Sequence, residues 1–437
     1  MQDSEKKPSL GGSLPTSPAQ PGRGERSRAA GALPCNTAPA NCIPGESVRI
    51  LRLGIDSLYL SYPGTISFTE ATKLKTLKEL AQSKNPLEQA LASYPIGEHQ
   101  FEVLGKGSGY YPYTLRDHAY RLLLASSRSR KLPLAYVQIS SQWLYGRGIL
   151  PVVAELGQLI VGLGTLEGEP QISRADLYVD FISPAPLDQI QPGAFVSRAK
   201  RISTHTMQRA FTGFSIGLGG DLSARLYDKT VEIRESGKRY LEEDWRKHGW
   251  QEGETVYRLE FQFMRRILVE HQAPTVPALL LKLGPLWRYA ALDWLRLTIP
   301  SPTDTTQTRW LLHPVWAALA DAHWPESLPG VSIPVRSTSE PTDRYLFENG
   351  LGAITSFMAR EGIIDPLVAF DHYYDRAKAY HNARSHFTGA DFGAYLQEKA
   401  ALKAKKFNRP YPGVAEKRNK KLADAVAREY RKLKDGE

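Results

Sequence analysis

Three short runs of this chain alternate between apolar and polar residues, and that alternation constrains the fold more than any other feature. In RADLYVDF, Arg174, Asp176, Tyr178 and Asp180 fall on one side of an extended chain. Ala175, Leu177, Val179 and Phe181 fall on the other. ARLYDKTV puts Arg225, Tyr227 and Lys229 on one side, and YRLEFQF sets Arg258, Glu260 and Gln262 opposite Leu259, Phe261 and Phe263. A period of two belongs to a strand with one buried face. Side by side, three such strands make a sheet with one oily face. The other face collects carboxylates, cations and a phenol.

The surrounding elements fill out such a sheet. VRILRLGIDSLYLSYPG reads as a strand carrying Asp56, and FTEATKLKTLKELAQSKNP as a helix ending near Asn85-Pro86. HQFEVLGKGSGYYPYTLRD reads as a hairpin turning over Gly105–Gly109, followed by the strands YRLLLASS and LAYVQISSQWLY. The most apolar window, 149–166, places Val152, Val153, Leu156, Leu159, Ile160 and Leu163 at helical spacing and includes Glu155 and Gln158, so it predicts a packed amphipathic helix and no membrane span. AFTGFSIG and ARLYDKTVEI form a second hairpin around Gly219-Gly220. KRYLEEDWRKHGW reads as helical. A strand-strand-helix-strand unit thus occurs twice, with single helices between groups of strands. That order predicts an α+β fold with an antiparallel sheet and a C-terminal helical region.

Six segments are expected along the chain. They are a disordered leader over 1–46, a catalytic domain over 47–272, a helical extension over 273–325, a linker over 326–342, a helical segment over 343–395 and a basic tail over 396–437. The leader is rich in Pro, Gly, Ser and Ala and has too few large apolar residues to offset ordering entropy. Trp287, Trp294, Trp310 and Trp316 sit at spacings that suit helical packing.

The net charge of +10 favours a polyanionic partner, nucleic acid first. Much of the excess lies in the tail, where Lys405, Lys406, Lys420 and Lys421 are candidate phosphate contacts. Lys106, Tyr110 and Tyr111, in GKGSGYYPY, offer charge and stacking surface to DNA. The two cysteines, Cys35 and Cys42, have no metal-ligand spacing and suggest no disulfide framework, and the polar N-terminus shows no secretory signal. Together these features lead us to expect a cytoplasmic protein with no membrane partner. No Walker-type phosphate loop is present, so no intrinsic helicase is expected.

The charged face carries the chemistry. A phenol with a pKa of about 10 attacks poorly at neutral pH unless helped. Carboxylates can hold a divalent cation that polarises a phosphate, and Lys229, Arg225 or Arg258 can stabilise phenolate and the growing negative charge. Such a set suits transesterification at a phosphodiester with Tyr227 as nucleophile. Each residue also has a plain role available: a strand tyrosine, solvated acids, cross-strand ion pairs.

In order and spacing, RADLYVDF, GFSIGLGGDLSARLYDKTVE and VYRLEFQF resemble the replication initiation factor family, the rolling-circle initiators of plasmids and filamentous phages with related conjugative relaxases. The resemblance covers roughly 48–320 and rests on Leu226-Tyr227-Asp228-Lys229 and Arg258-Leu259-Glu260. It implies a sheet similar to that of HUH endonucleases. Tyr227 would be the nicking nucleophile, and Asp176, Glu260 and Asp180 would hold Mg²⁺ or Mn²⁺. The partner would be origin DNA, single-stranded or hairpin, with host helicase and polymerase following and a homodimer compatible with it. The His-hydrophobe-His dyad of HUH endonucleases is missing, His205 stands alone, and Gln138 occupies a position where some relatives carry a carboxylate. A conjugative relaxase and a DNA-binding regulator without catalysis are the alternatives.

Overall fold

A computed structural model describes residues 47–127, 129, 131–184, 186–207, 210–325, 328, 340–383 and 392–435. The expected leader and most of the expected linker lie outside them.

Sixteen strands occur among the described residues: β1 (Arg49–Tyr62), β2 (Gly64–Ile66), β3 (Ser93–Ile96), β4 (His99–Val103), β5 (Tyr113–Arg116), β6 (Tyr120–Leu124), β7 (Ala135–Ile139), β8 (Gly164–Leu166), β9 (Gln171–Ile182), β10 (Phe195–Ser197), β11 (Ile202–Met207), β12 (Ala210–Ile216), β13 (Leu222–Asp228), β14 (Tyr257–Met264), β15 (Leu295–Ile299) and β16 (Leu311–Leu312). Eleven of them form one sheet in the order β11-β12-β13-β14-β9-β1-β7-β6-β5-β4-β3. All its neighbours are antiparallel. The fold is therefore α+β, as the alternation predicts.

The sheet has two halves joined by the long strands β1 and β9. In each half the last strand returns to pair with the long one, β7 with β1 and β14 with β9. The second half contains a strand-strand-helix-strand unit: β12, β13, then α5 (Lys229–Ser236) and α6 (Tyr240–Lys247), then β14. The first half instead sets α1 (Phe68–Gln82) and α2 (Pro86–Ala90) directly after β1 and β2 and follows with a meander.

The oily face is covered by α1, by α4 (Ile149–Val161) and by α7 (Arg265–Glu270), α8 (Val276–Leu280), α9 (Leu283–Arg288) and α10 (Pro314–Ala320). Leu58, Leu60, Leu177, Val179, Leu259 and Phe261 face this layer and are fully buried. Trp287 and Trp316 are completely enclosed, their indole N–H groups donating to the Leu319 and Ala291 carbonyls at 2.7 Å each. Trp294 is also buried, whereas Trp310 lies half exposed at the rim.

Several local expectations change. SSQWLY is helical: β7 ends at Ile139 and α3 (Ser141–Arg147) begins two residues later. LRLTI, read with the helical extension, is strand β15, because its alternation prevails once the preceding helix ends at Trp294. The basic end is ordered into α13 (Phe392–Lys406) and α14 (Val414–Asp435), after α11 (Gly350–Glu361) and α12 (Pro366–Ala383). Buried Leu422 joins the core, and Arg418 donates to the Ser93 hydroxyl at 3.2 Å.

Candidate active site

The polar face of the second half is partly roofed by α3, α5 and α6, whose Tyr145, Ile233, Leu241 and Trp245 form a small second core with Leu51 and Val256. Beside this roof is an open cleft of about 590 Å³. Asp56, Asp176, Arg225, Tyr227, Lys229 and Glu260 line it.

Cross-strand register brings these residues together. Arg225 pairs with Glu260, and Glu260 with Tyr178, across β13, β14 and β9. One row along, Tyr227 pairs with Arg258 and Arg258 with Asp180. On the other side of Tyr227 lies Gly213, itself opposite His205. A Cβ on Gly213 would stand 2.5 Å from the Leu226 carbonyl oxygen and 2.6 Å from the Tyr227 Cβ, so only glycine lets β12 approach the tyrosine strand.

Asp56 enters through a bulge. The β1–β9 register slips between Ile55 and Ser57 and leaves Asp56 as the extra residue. Ile55 and Leu58 both stay in the oily core, while Asp56 and Ser57 both line the cleft.

The expected catalytic cations take different positions. Arg258 is 1 % exposed. It donates to Asp180 at 2.6 and 2.9 Å and to Asp56 at 2.6 Å, with its guanidinium carbon 3.7 Å above the Tyr178 ring. It braces the floor of the site. Lys229 is not on the strand: β13 ends at Asp228, whose carboxylate caps α5 by accepting from the Val231 N–H at 3.0 Å. Lys229 opens that helix, is buried, pairs with Glu232 at 2.5 Å and lies 5.6 Å from the Tyr227 ring centroid. Arg225 is exposed and stands 3.6 Å from Glu260.

Burial raises the Tyr227 phenol well above its ordinary pKa, and Glu260 adds to the rise. Its hydroxyl donates to Glu260 Oε2 at 3.4 Å. Burial, then Asp56 and Asp176, push the Glu260 carboxyl up to about 7. Burial also raises Asp176, against the pull of Arg174. For Asp56 burial acts upward, but Arg258, Lys229 and Lys238 outweigh it and hold the carboxyl low. Burial lowers the Lys229 ammonium, and Arg258 lowers it further.

The expected metal ligands do not form a shell. Asp180 is fully buried, with both oxygens taken by Arg258 and one also by the Trp245 indole N–H at 3.1 Å, so it is not free to coordinate. Asp176 is gripped by Arg174 through its Nε at 2.8 and 3.1 Å and again through Nη2. Among the described residues no three His, Cys, Asp or Glu side chains are arranged to hold a metal ion. The donor oxygens are of the type that suits Mg²⁺ or Mn²⁺, but arginines already hold most of them.

Asp56, read from the sequence only as a strand residue, and His205, read there as standing alone, both line the cleft, where His205 hydrogen-bonds the Ser215 hydroxyl at 2.7 Å. The expected DNA contacts divide. Tyr110 is 89 % exposed, and Tyr111 packs beside Tyr136 on the polar face. Lys405 is drawn toward Glu102 at 3.6 Å and Lys421 to Glu88 at 2.7 Å, while Lys406 and Lys420 are exposed. All four belong to helices docked around α1, α2 and β4, and none lines the cleft. No helix among the described residues is long and apolar enough to cross a membrane.

No protein-family model matches the chain, and the search of curated proteins returns no relative. A search of solved structures finds a rolling circle replication initiator protein from Geobacillus stearothermophilus. It is 14 % identical, covers 64 % of this chain and 100 % of its own, and has a TM-score of 0.38. At that score the likeness is too slight to assign function.

Proposed function

We propose that this chain is a DNA strand-transferase that nicks one strand through Tyr227, in the manner of a rolling-circle replication initiator. The observation that carries this reading is the placement of the Tyr227 hydroxyl: it borders an open, cation-flanked cleft, 3.4 Å from a carboxyl raised to about 7. A general base works best when its pKa lies near the operating pH. Glu260 takes the phenolic proton as the oxygen attacks phosphorus. The phosphotyrosine bond forms, the bond from phosphorus to the 3′ oxygen breaks, and that oxygen takes a proton from water, so a free 3′-hydroxyl remains. Arg225 and Lys229 stand where they would offset the added negative charge. Arg258, held by Asp180 and Asp56, positions the strand that carries Glu260. One phosphodiester replaces another, so the step reverses without ATP and can rejoin the strand.

The test is to trap the covalent adduct between protein and a suicide oligonucleotide and map it by mass spectrometry, with and without Mg²⁺ or Mn²⁺. Attachment at Tyr227, lost in Tyr227→Phe, supports the reading. Attachment at another residue, or sequence-specific binding with no adduct in any metal, overturns it, the latter in favour of a non-catalytic regulator. Cleavage at a transfer origin in place of a replication origin makes the protein a relaxase with the same chemistry.

A further inference from the structure

The roof formed by α3, α5 and α6 covers the end of the polar face that holds Arg52, Asp180 and Arg258. Beyond it, the same face continues over β1, β7 and β6, and among the described residues no helix of either apolar cluster lies upon it. There Arg121 is exposed, and Tyr59, Tyr136 and Gln138 are partly exposed. The Tyr59 and Tyr136 ring centroids lie 6.1 Å apart in an edge contact, and the Tyr111 ring follows 6.3 Å from Tyr136. At the far end stands the exposed ring of Tyr110. At the near end the Arg174 guanidinium lies 5.0 Å over the Tyr59 ring and lines the cleft that holds Tyr227.

We propose that this tyrosine line is a track for single-stranded DNA running from the tip of the β4–β5 hairpin to Tyr227. The proposal rests on the nicking reading for its destination, and on this face alone for its ligand. Across the strands one row reads Arg174, Tyr59, Gln138, Arg121, Arg116. With Tyr136 and Tyr111 beside it, the row combines rings with guanidinium groups; Arg174 and Arg116 are paired with Asp176 and Glu102, and Arg121 has no ion-pair partner among the described residues. That mixture suits flexible polyanions carrying flat bases, because every base has a face to stack and every nucleotide a phosphate to neutralise. A protein partner would find few large aliphatic side chains here. From the Arg174 row to the Tyr227 row is six residues along β14, Met264 to Arg258, or about 20 Å at strand rise. The track is therefore long enough to hold several nucleotides next to the scissile phosphate.

The test is fluorescence anisotropy of a labelled oligothymidine of roughly 16 nucleotides with the full chain. Tyr59→Ala/Tyr136→Ala is expected to weaken binding by ~30-fold or more. Tyr59→Phe/Tyr136→Phe, which keeps the rings, should bind nearly as well as wild type. Arg121→Gln should reduce the log–log salt slope by about 0.7. Should the alanine pair not fold, photocrosslinking of a bromodeoxyuridine oligonucleotide to the wild type gives a second readout, with adducts expected on peptides bearing Tyr59, Tyr111 or Tyr136. Unchanged affinity in the folded alanine pair, or crosslinks only elsewhere, overturns the track even if Tyr227 nicks. Weakened binding with no Tyr227 adduct in the wild type supports the track and rejects the nicking chemistry.

Discussion

Replacing Arg258 by Met should destabilise the protein by about 3–5 kcal/mol, the usual consequence of removing one member of a buried ion pair. The magnitude follows from what is left behind. Asp180 is fully enclosed and would keep only the N–H of Trp245. Asp56 would lose its 2.6 Å contact, but its side chain is 23 % exposed, so water can compensate it. The uncompensated charge is therefore chiefly Asp180. In the double variant Arg258→Met/Asp180→Leu, that charge is gone and the space is filled with apolar atoms. It should be more stable than Arg258→Met alone, despite carrying one substitution more. The assay is thermal and urea unfolding followed by tryptophan fluorescence. At roughly 2–4 °C per kcal/mol, Arg258→Met should unfold roughly 6–20 °C lower than wild type. The idea that Arg258 braces the floor fails if Arg258→Met lies within about 1 kcal/mol of wild type, or if the double variant is worse than the single by the cost of an independent second lesion.

Three further outcomes are expected. Nicking by the wild type should rise with pH and level off above the Glu260 value of about 7, whereas Glu260→Gln should be slower by roughly 10²–10⁴-fold and lose that inflection; an unchanged pH–rate profile in Glu260→Gln would remove it as the base. Gly213→Ala should force β12 away from Tyr227 and cost ~1–3 kcal/mol, measured by urea unfolding, with single-turnover nicking falling more than oligonucleotide binding; wild-type stability and rate would contradict the close approach. His99 is buried against Asp117 and near Glu155; burial acts to lower its pKa, but those carboxylates outweigh it and raise the value. A raised histidine lends stability that is complete below its ordinary pKa near 6.5 and is lost as pH climbs through the folded value. The wild-type melting temperature minus that of His99→Gln should therefore shrink as pH rises above about 6.5, and a constant difference would refute the linkage.

What the sequence makes legible here is period, and what it hides is register. RADLYVDF and YRLEFQF declare their faces because a half-buried strand writes an alternating pattern. Nothing in either string says that Arg258 lies beside Asp180 across the sheet, so a buried brace reads equally well as a catalytic cation. Lys229 shows the same limit at an element boundary: it is two residues from Tyr227, but Asp228 ends the strand as an N-cap, and Lys229 reaches the phenol from the first turn of a helix. Asp56 left a trace that could have been used. In β1 the apolar phase of the oily face runs Leu53, Ile55 and resumes at Leu58, Leu60, Tyr62, one residue late. A phase slip inside one unbroken strand is the signature of a bulge, and bulges gather where a sheet re-aims a side chain. The C-terminal helices were obscured by composition: their many lysines suggest a solvated tail, while sparse anchors such as Leu422 and Arg418 are enough to dock α14 against the body. Charge density reports how much water and counter-ion a segment can hold. It does not report whether a few apolar contacts fix that segment, which is why basic character pointed toward DNA at lysines remote from the cleft and gave no sign of Tyr59 and Tyr136.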